Sequence, residues 1–479
     1  MDPFTLIIFG ITGNLAQKYL IPALYDMAEK GDLLKHISIV GIARGFLNEK
    51  DFRKYISEVL HTDNLHHTHP IKEDVLEALL QKMHYLAGSL DNPGFYLELK
   101  SSLDKPGSLN DNRIYYLATY PDLYHHVFEN LSKTGLNVQK NGWVRLMIEK
   151  PIGHDLASAK ALNKLMLRYF SENQIFRLDH YLGKETLQNI LTFRFSNGIF
   201  EPLINAEYID HIQITATEDF GVGKRGGYYD IVGALKDVGQ NHQLQMLAFV
   251  TMDAPAQFSN KAVTEQRIKI FKKLVPMPQK VVFGQYNGYR KEQNVNPASN
   301  TETFYALKTY INSDRFKDVP IYIRAGKKLK KTVTEISVIF KNPVNRLLKH
   351  LDCGDEPNVL IYRMTPNEGI VLKILTKVPG LETKLEPEYM QFCYRNHPHG
   401  HSTPDPYERI LTDTVKGDQT FFDDAEEVEA QWAFIDQLNA GKSTPKVYEQ
   451  GSWGPKEADQ LIEEDGRFWL EPSMEFCRI

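Results

Sequence analysis

A chain of 479 residues exceeds the size at which one hydrophobic core stops growing, so two domains are expected. With 42% hydrophobic and 24% charged residues it is not a disordered chain, and a net charge of −5 argues against nucleic acid as the main partner. Three widely spaced cysteines, Cys353, Cys393 and Cys477, make no CxxC pair and predict no disulfide framework, no zinc site and a reducing, cytoplasmic setting. The apolar run near the N-terminus is too short for a secretory or membrane-spanning segment, so no membrane partner is expected.

In chain order, Phe4 to Phe9 is a continuous apolar run, the pattern of a strand buried on both faces. A glycine turn follows, then Leu15, Tyr19, Leu20, Ala23, Leu24 and Met27 recur at helical spacing, and Ile37 to Ile42 reads as a second strand. Strand, glycine loop, helix and strand make a dinucleotide-binding unit. The loop, Gly10, Ile11, Thr12, Gly13, Asn14, Leu15 and Ala16, is G-x-x-G-x-x-A, one residue looser than the common fingerprint. It still provides a tight turn, close backbone approach to a pyrophosphate and a helix N-terminus aimed at the anion. Gly10, Thr12, Gly13, Asn14 and Leu15 are therefore the candidate cofactor-binding loop. After the second strand comes Arg44, where an NAD enzyme usually has an acidic residue for the ribose 2′-hydroxyl. An arginine there accommodates the 2′-phosphate of NADP, with NAD as the alternative cofactor.

Further strand-like runs cover Arg113 to Thr119 and Trp143 to Ile148, the latter ending at Glu149, Lys150 and Pro151. Ligands of open α/β sheets bind beyond the carboxyl ends of strands, so Lys150 is placed where nicotinamide and substrate meet. A trans Lys150–Pro151 bond is the base-rate expectation.

Residues Arg177 to Glu185 read Arg-Leu-Asp-His-Tyr-Leu-Gly-Lys-Glu and gather a carboxylate, an imidazole, a phenol and an ammonium between Asp179 and Lys184. His180, Tyr181 and Lys184 can each donate a hydrogen bond to a phosphate. Asp179 would repel one, so its sensible task is to orient a basic group. Beyond this point the pattern changes. Ile209 to Ala216, Ile321 to Arg324, Glu335 to Phe340, Val359 to Met364 and Gly369 to Thr376 are strand candidates, with helical stretches such as Asp237 to Met252 between them. An α/β Rossmann-type dinucleotide-binding domain over 1–176 is expected, followed by an α+β domain with a large, mainly antiparallel sheet over 177–479, the two abutting with the site between them.

The segment Arg177 to Glu185 resembles the signature of glucose-6-phosphate dehydrogenases, with Leu178 in place of isoleucine. Further blocks similar to that family follow its order: Gly10 to Ala16, Gly41 to Arg44, Glu149 to Gly153, Arg225 to Tyr228, Asp237 to His242 and Gly451 to Pro455. The resemblance implies that glucose 6-phosphate is the substrate, that the Lys150–Pro151 bond is cis and that His242 is the general base. Imidazole titrates near pH 6.5 and suits this task, and Asp179 would fix its tautomer. It also implies a phosphate site of His180, Tyr181 and Lys184, a further substrate lysine at Lys327, and Glu218 and Asp237 as acceptors for sugar hydroxyls. Homodimers or homotetramers are implied as well. Departures are Asn14 for the usual aspartate, Gln17 for a frequent lysine, and Thr332 where a second cation is usual, with Lys330 and Lys331 as potential substitutes.

Two other readings compete: a sugar dehydrogenase of the glucose–fructose oxidoreductase type, and a non-catalytic NADP-binding sensor. The first would not require the cluster from Asp179 to Lys184, and the second would not retain both Asp179 and His242. The histidine groups at His66, His67 and His69 and at His397, His399 and His401 lack helical HExxH spacing and cysteine partners, so no metal is expected.

Overall fold

The structure, a computed structural model, describes residues 2–31, 33–45, 48–62, 70–105, 111–140, 142–342, 356–382, 384–394, 403–441 and 443–477. Both histidine groups, except for parts of their flanks, and Cys353 lie outside the described residues. The chain forms two compact units. One comprises Met1–Gly153, Ala157–Gly183 and Pro404–Ala425; the other comprises His154–Leu156, Lys184–Thr403 and Glu426–Ile479.

In the first unit, six strands are described: β1 (Phe4–Phe9), β2 (Ile37–Ala43), β3 (Met83–Ala87), β4 (Arg113–Leu117), β5 (Val144–Glu149) and β6 (Ile175–Leu178). They run parallel in the order β3-β2-β1-β4-β5-β6. This is the doubly wound order, with its switch point between β1 and β4. Burial of β1 along its whole length explains its unbroken apolar sequence.

Pro404–Ala425 returns to this unit as the helix Pro406–Lys416, whose Ile410, Leu411 and Val415 join the same core as Leu6, Ile8 and Leu24. Each such aliphatic side chain contributes roughly 1.5–3 kcal/mol on burial. A capping box of Asp405 and Glu408 starts the helix, and Lys30 meets Glu408 at 2.7 Å. A single boundary after residue 176 therefore differs from the observed division, in which His154–Leu156 also belong to the second unit. The first unit continues to Gly183, because β6 is its sixth strand, and it recruits a distant segment.

In the second unit, nine strands are described: β7 (Ile209–Thr217), β8 (Val281–Tyr286), β9 (Phe304–Thr309), β10 (Ile321–Gly326), β11 (Val333–Phe340), β12 (Val359–Thr365), β13 (Gly369–Lys377), β14 (Leu385–Cys393) and β15 (Lys446–Tyr448). Their order is β14-β13-β12-β11-β7-β10-β9-β8-β15. Pairing is antiparallel except at β7–β10 and β8–β15, so the expected mainly antiparallel sheet is observed.

The expectation of no disulfide is corrected here. Cys393 at the end of β14 is bonded to Cys477, with Cα atoms 5.3 Å apart. Phe476 packs with Ile339, Val359, Ile361 and Val371, which carries the C-terminal segment to that strand end. A sequence separation of 84 gives no hint of this encounter. Among the described residues, no helix is long and apolar enough to cross a membrane.

Candidate active site

In the first unit the predicted cofactor loop leaves β1 at the switch point. Gly10 has φ +94°, and a Cβ there would lie 2.5 Å from the Ala118 carbonyl oxygen on the far side of the crevice. Only glycine meets both constraints. Gly10 and Ile11 donate to the Ile42 carbonyl at 2.8 and 3.1 Å, and Gly13 donates to Gly10 at 2.9 Å. Gln17 closes the turn through the Thr12 carbonyl at 2.9 Å and the Tyr55 hydroxyl at 2.8 Å. Gln17 thus braces the loop. Thr12, Gly13 and Leu15 are half-buried, and Asn14 and Arg44 are exposed, the latter directly after β2. This glycine-lined backbone at a strand end fits a dinucleotide, and a side chain at Gly10 would fill the approach.

Lys150 follows β5, and its bond to Pro151 is cis. The preceding Glu149 is buried and accepts hydrogen bonds from Tyr116 at 2.5 Å and Tyr407 at 3.3 Å. Burial pushes its carboxyl up to about 7, against the lowering effect of these hydroxyls and of Lys150. Neither tyrosine was identifiable as a partner from sequence, since both lie far from residue 149.

Asp179 comes immediately after β6 and is 1% exposed. It accepts from the Tyr181 backbone at 2.9 Å, while Leu182 donates to the Asp179 carbonyl at 2.9 Å. This tight turn holds the half-buried His180 and Tyr181, whose rings meet edge-to-face at 5.0 Å. The signature is therefore a strand-end turn, the location that the carboxyl-end rule favours.

In the second unit, Lys184 precedes the helix Glu185–Ser196 and reaches the end of β12, 3.3 Å from the Thr365 hydroxyl and 3.4 Å from the Met364 carbonyl. Glu368 lies 3.7 Å from its ammonium. Glu218 follows β7 and Lys327 follows β10, and these parallel neighbours bring the two side chains into an ion pair. Lys327 also lies over the rings of Tyr229, at 5.1 Å, and Phe220, at 5.4 Å. Its backbone is fixed by the Thr303 carbonyl, at 3.0 Å, and by the Tyr448 hydroxyl, at 2.6 Å.

Asp237 and His242 both lie on a buried π-helix, Leu235–Gln243, which continues as the α-helix Leu244–Thr251. Wide turns of this kind are frequent at functional sites. Glu302 accepts from the Leu235 backbone at 3.3 Å at its start, and Gln240 donates to Gln431 at 3.1 Å on its flank. Burial, with Asp237 and Glu218 next, holds the Tyr229 phenol well above its usual range, so these acidic groups share one neighbourhood. Thr332 instead donates to Asp219 at 2.6 Å. Lys330 and Lys331 lie 2.7 and 3.7 Å from Glu471, which occupies the two lysines expected as substitutes.

A doubly wound sheet with this glycine turn, joined in one chain to an acid-, histidine- and lysine-bearing α+β unit, defines a nicotinamide-dinucleotide oxidoreductase. The comparisons narrow the class. Residues 7–189 match the NAD binding domain of glucose-6-phosphate dehydrogenase, and residues 191–470 match its C-terminal domain. Glucose-6-phosphate 1-dehydrogenase of Chlamydia pneumoniae is 40% identical, spanning 98% of this chain and 96% of its own. The Treponema pallidum enzyme of the same name is also 40% identical, over the same shares. A solved glucose-6-phosphate dehydrogenase in complex with its substrate glucose 6-phosphate has 31% identity and a TM-score of 0.90, covering 98% of this chain and 99% of that one. The Mycobacterium avium structure has 32% identity and a TM-score of 0.87, covering 99% and 100%. The chain belongs to the glucose-6-phosphate dehydrogenase family.

Proposed function

We propose that this chain oxidises β-D-glucose 6-phosphate to 6-phospho-D-glucono-1,5-lactone, the first step of the pentose phosphate pathway, with NADP as acceptor and NAD as the alternative. The observation that carries the reading is the likeness, at 31% identity and over 98% of the chain, to a structure that holds this substrate. Gly10, Thr12, Gly13, Asn14, Leu15 and Arg44 hold the dinucleotide, and Lys150 serves both cofactor and sugar. When bound, the nicotinamide supplies the hydride acceptor at its C4.

His180, Tyr181, Lys184 and Lys327 hold the substrate through charge-assisted hydrogen bonds. Glu218 and Asp237 accept from sugar hydroxyls, an arrangement that penalises analogues lacking them. His242 takes the C1 hydroxyl proton as the C1 hydrogen leaves with its bonding electron pair, as hydride, which leaves a C1=O bond and an imidazolium. Asp179 orients that ring and stabilises its charge. We place the enzyme in the cytoplasm and propose a homodimer or homotetramer, an oligomeric state that light scattering of the purified protein tests.

The function is tested by absorbance at the reduced-nicotinamide band, with each cofactor against glucose 6-phosphate and glucose. Glucose 6-phosphate is the better substrate, and Lys184→Ala raises its KM roughly tenfold to a hundredfold, as loss of a charge-assisted contact predicts. Equal efficiency with glucose would remove the phosphate site from the reading.

A further inference from the structure

Beside the proposed base, two buried residues of the π-helix meet one that is distant in sequence. Gln243, directly after His242, donates its amide N–H to the Arg324 carbonyl on β10 at 2.8 Å. Its amide oxygen accepts from the Tyr305 hydroxyl on β9. One side chain therefore ties the π-helix to two adjacent strands, which pair at Ala325 and Tyr305. Both Gln243 and Tyr305 are 0% exposed. The third member is Gly239, one turn earlier on the helix. A Cβ there would stand 2.6 Å from the Tyr305 hydroxyl oxygen and 3.0 Å from its Cζ, so the phenol reaches Gln243 only because residue 239 lacks a side chain.

We propose that Gly239, Tyr305 and Gln243 form a positioning clamp that sets the rotation of the π-helix, and with it the seat of His242, against the strand that leads to Lys327. The inference rests on His242 being the base. Burial raises the Tyr305 phenol well above its usual range, so it remains a hydrogen-bond donor at any working pH. In a closed, water-poor setting, both ends of the Gln243 amide are satisfied only in one orientation of the helix. Small displacements matter for proton transfer, since a shift of about 1 Å at a reacting group can cost about 10²-fold in rate.

The test uses Tyr305→Phe, Gln243→Leu and the double variant in the full-length protein. Each single change should lower kcat roughly tenfold with KM for glucose 6-phosphate within about twofold. The double variant should be no slower than the slower single one, because the residues act as a unit. Tyr305→Phe, the milder change, keeps the test alive should Gln243→Leu fail to fold. In histidine-labelled protein, the His242 imidazole resonances, assigned with His242→Asn, should move in Tyr305→Phe. Unmoved resonances, or kcat retained within about twofold, would overturn the clamp and leave an ordinary core hydrogen bond. Wild-type protein inactive on glucose 6-phosphate would instead refute the proposed function, and the resonances would still decide the clamp.

Discussion

The strands of the six-stranded sheet are mostly apolar, and the residues proposed for chemistry lie on turns just beyond them; the nine-stranded sheet carries polar and charged groups within its strands. Gln213, Thr215, Lys308, Arg324, Glu335 and Arg363 are all buried there. They persist because each finds partners from other segments. Arg363 bonds Glu335 at 2.7 Å, and Arg324 lies over Trp453 and Trp469 at 4.9 and 4.4 Å. In the first unit, strand-end geometry places the candidate residues locally. In the second, long-range polar contacts place them, so substitutions there should act through position as well as through lost contacts.

The largest effect should come from the second unit. His242→Asn keeps a polar side chain of similar reach but removes the group that accepts the proton. Turnover should fall by at least about 10²-fold while substrate affinity, measured by calorimetry, remains nearly unchanged. Turnover close to wild type would remove His242 as base and, with it, the sharpest contrast between the units. A smaller and more selective effect belongs to the first unit. Arg44 is exposed and follows β2, so its contribution is its own charge rather than the order of a network. Arg44→Ala should raise KM for NADP roughly tenfold to a hundredfold and leave that for NAD nearly as it was. Equal changes for both cofactors would count against a 2′-phosphate contact.

The same contrast explains what could be read in advance. β1 and β2 were legible because strands buried on both faces are written as apolar runs, and the Gly10 turn because its spacing is local. β6 carries no strand signal in the sequence: it spans four residues, and Arg177 interrupts its apolar pattern while being fully buried against Glu172 and Asn163. β3 escaped because most of its residues are only partly covered. The helix Pro406–Lys416 is amphipathic, and such a pattern shows that a face is buried without showing which core receives it. Contacts such as Tyr305 with Gln243, or Tyr407 with Glu149, join residues 62 and 258 positions apart and leave no periodic trace. The candidate residues were therefore readable individually, through resemblance, but their supporting contacts were not.

The smallest effect concerns stability alone and probes how local the first unit is. The Glu149 carboxyl is raised from an ordinary 4.5 to about 7, chiefly by burial. A folded-state value above the unfolded one favours the protonated form, so the associated stability is fully present below about pH 4.5 and is lost as pH rises through 7. Glu149→Gln removes this titration. Tyr116 and Tyr407 both donate to the same carboxylate oxygen, and an amide oxygen can accept both bonds. The ceiling on the difference is about 3 kcal/mol, reduced in practice by relaxation around the charge. The variant should melt a few degrees above wild type at pH 8, roughly as such energies convert for domains of this size, and together with it near pH 5. A constant offset across that range would mean that Glu149 does not titrate there, and that the turn before Lys150 is held by packing rather than by the protonation of its carboxyl.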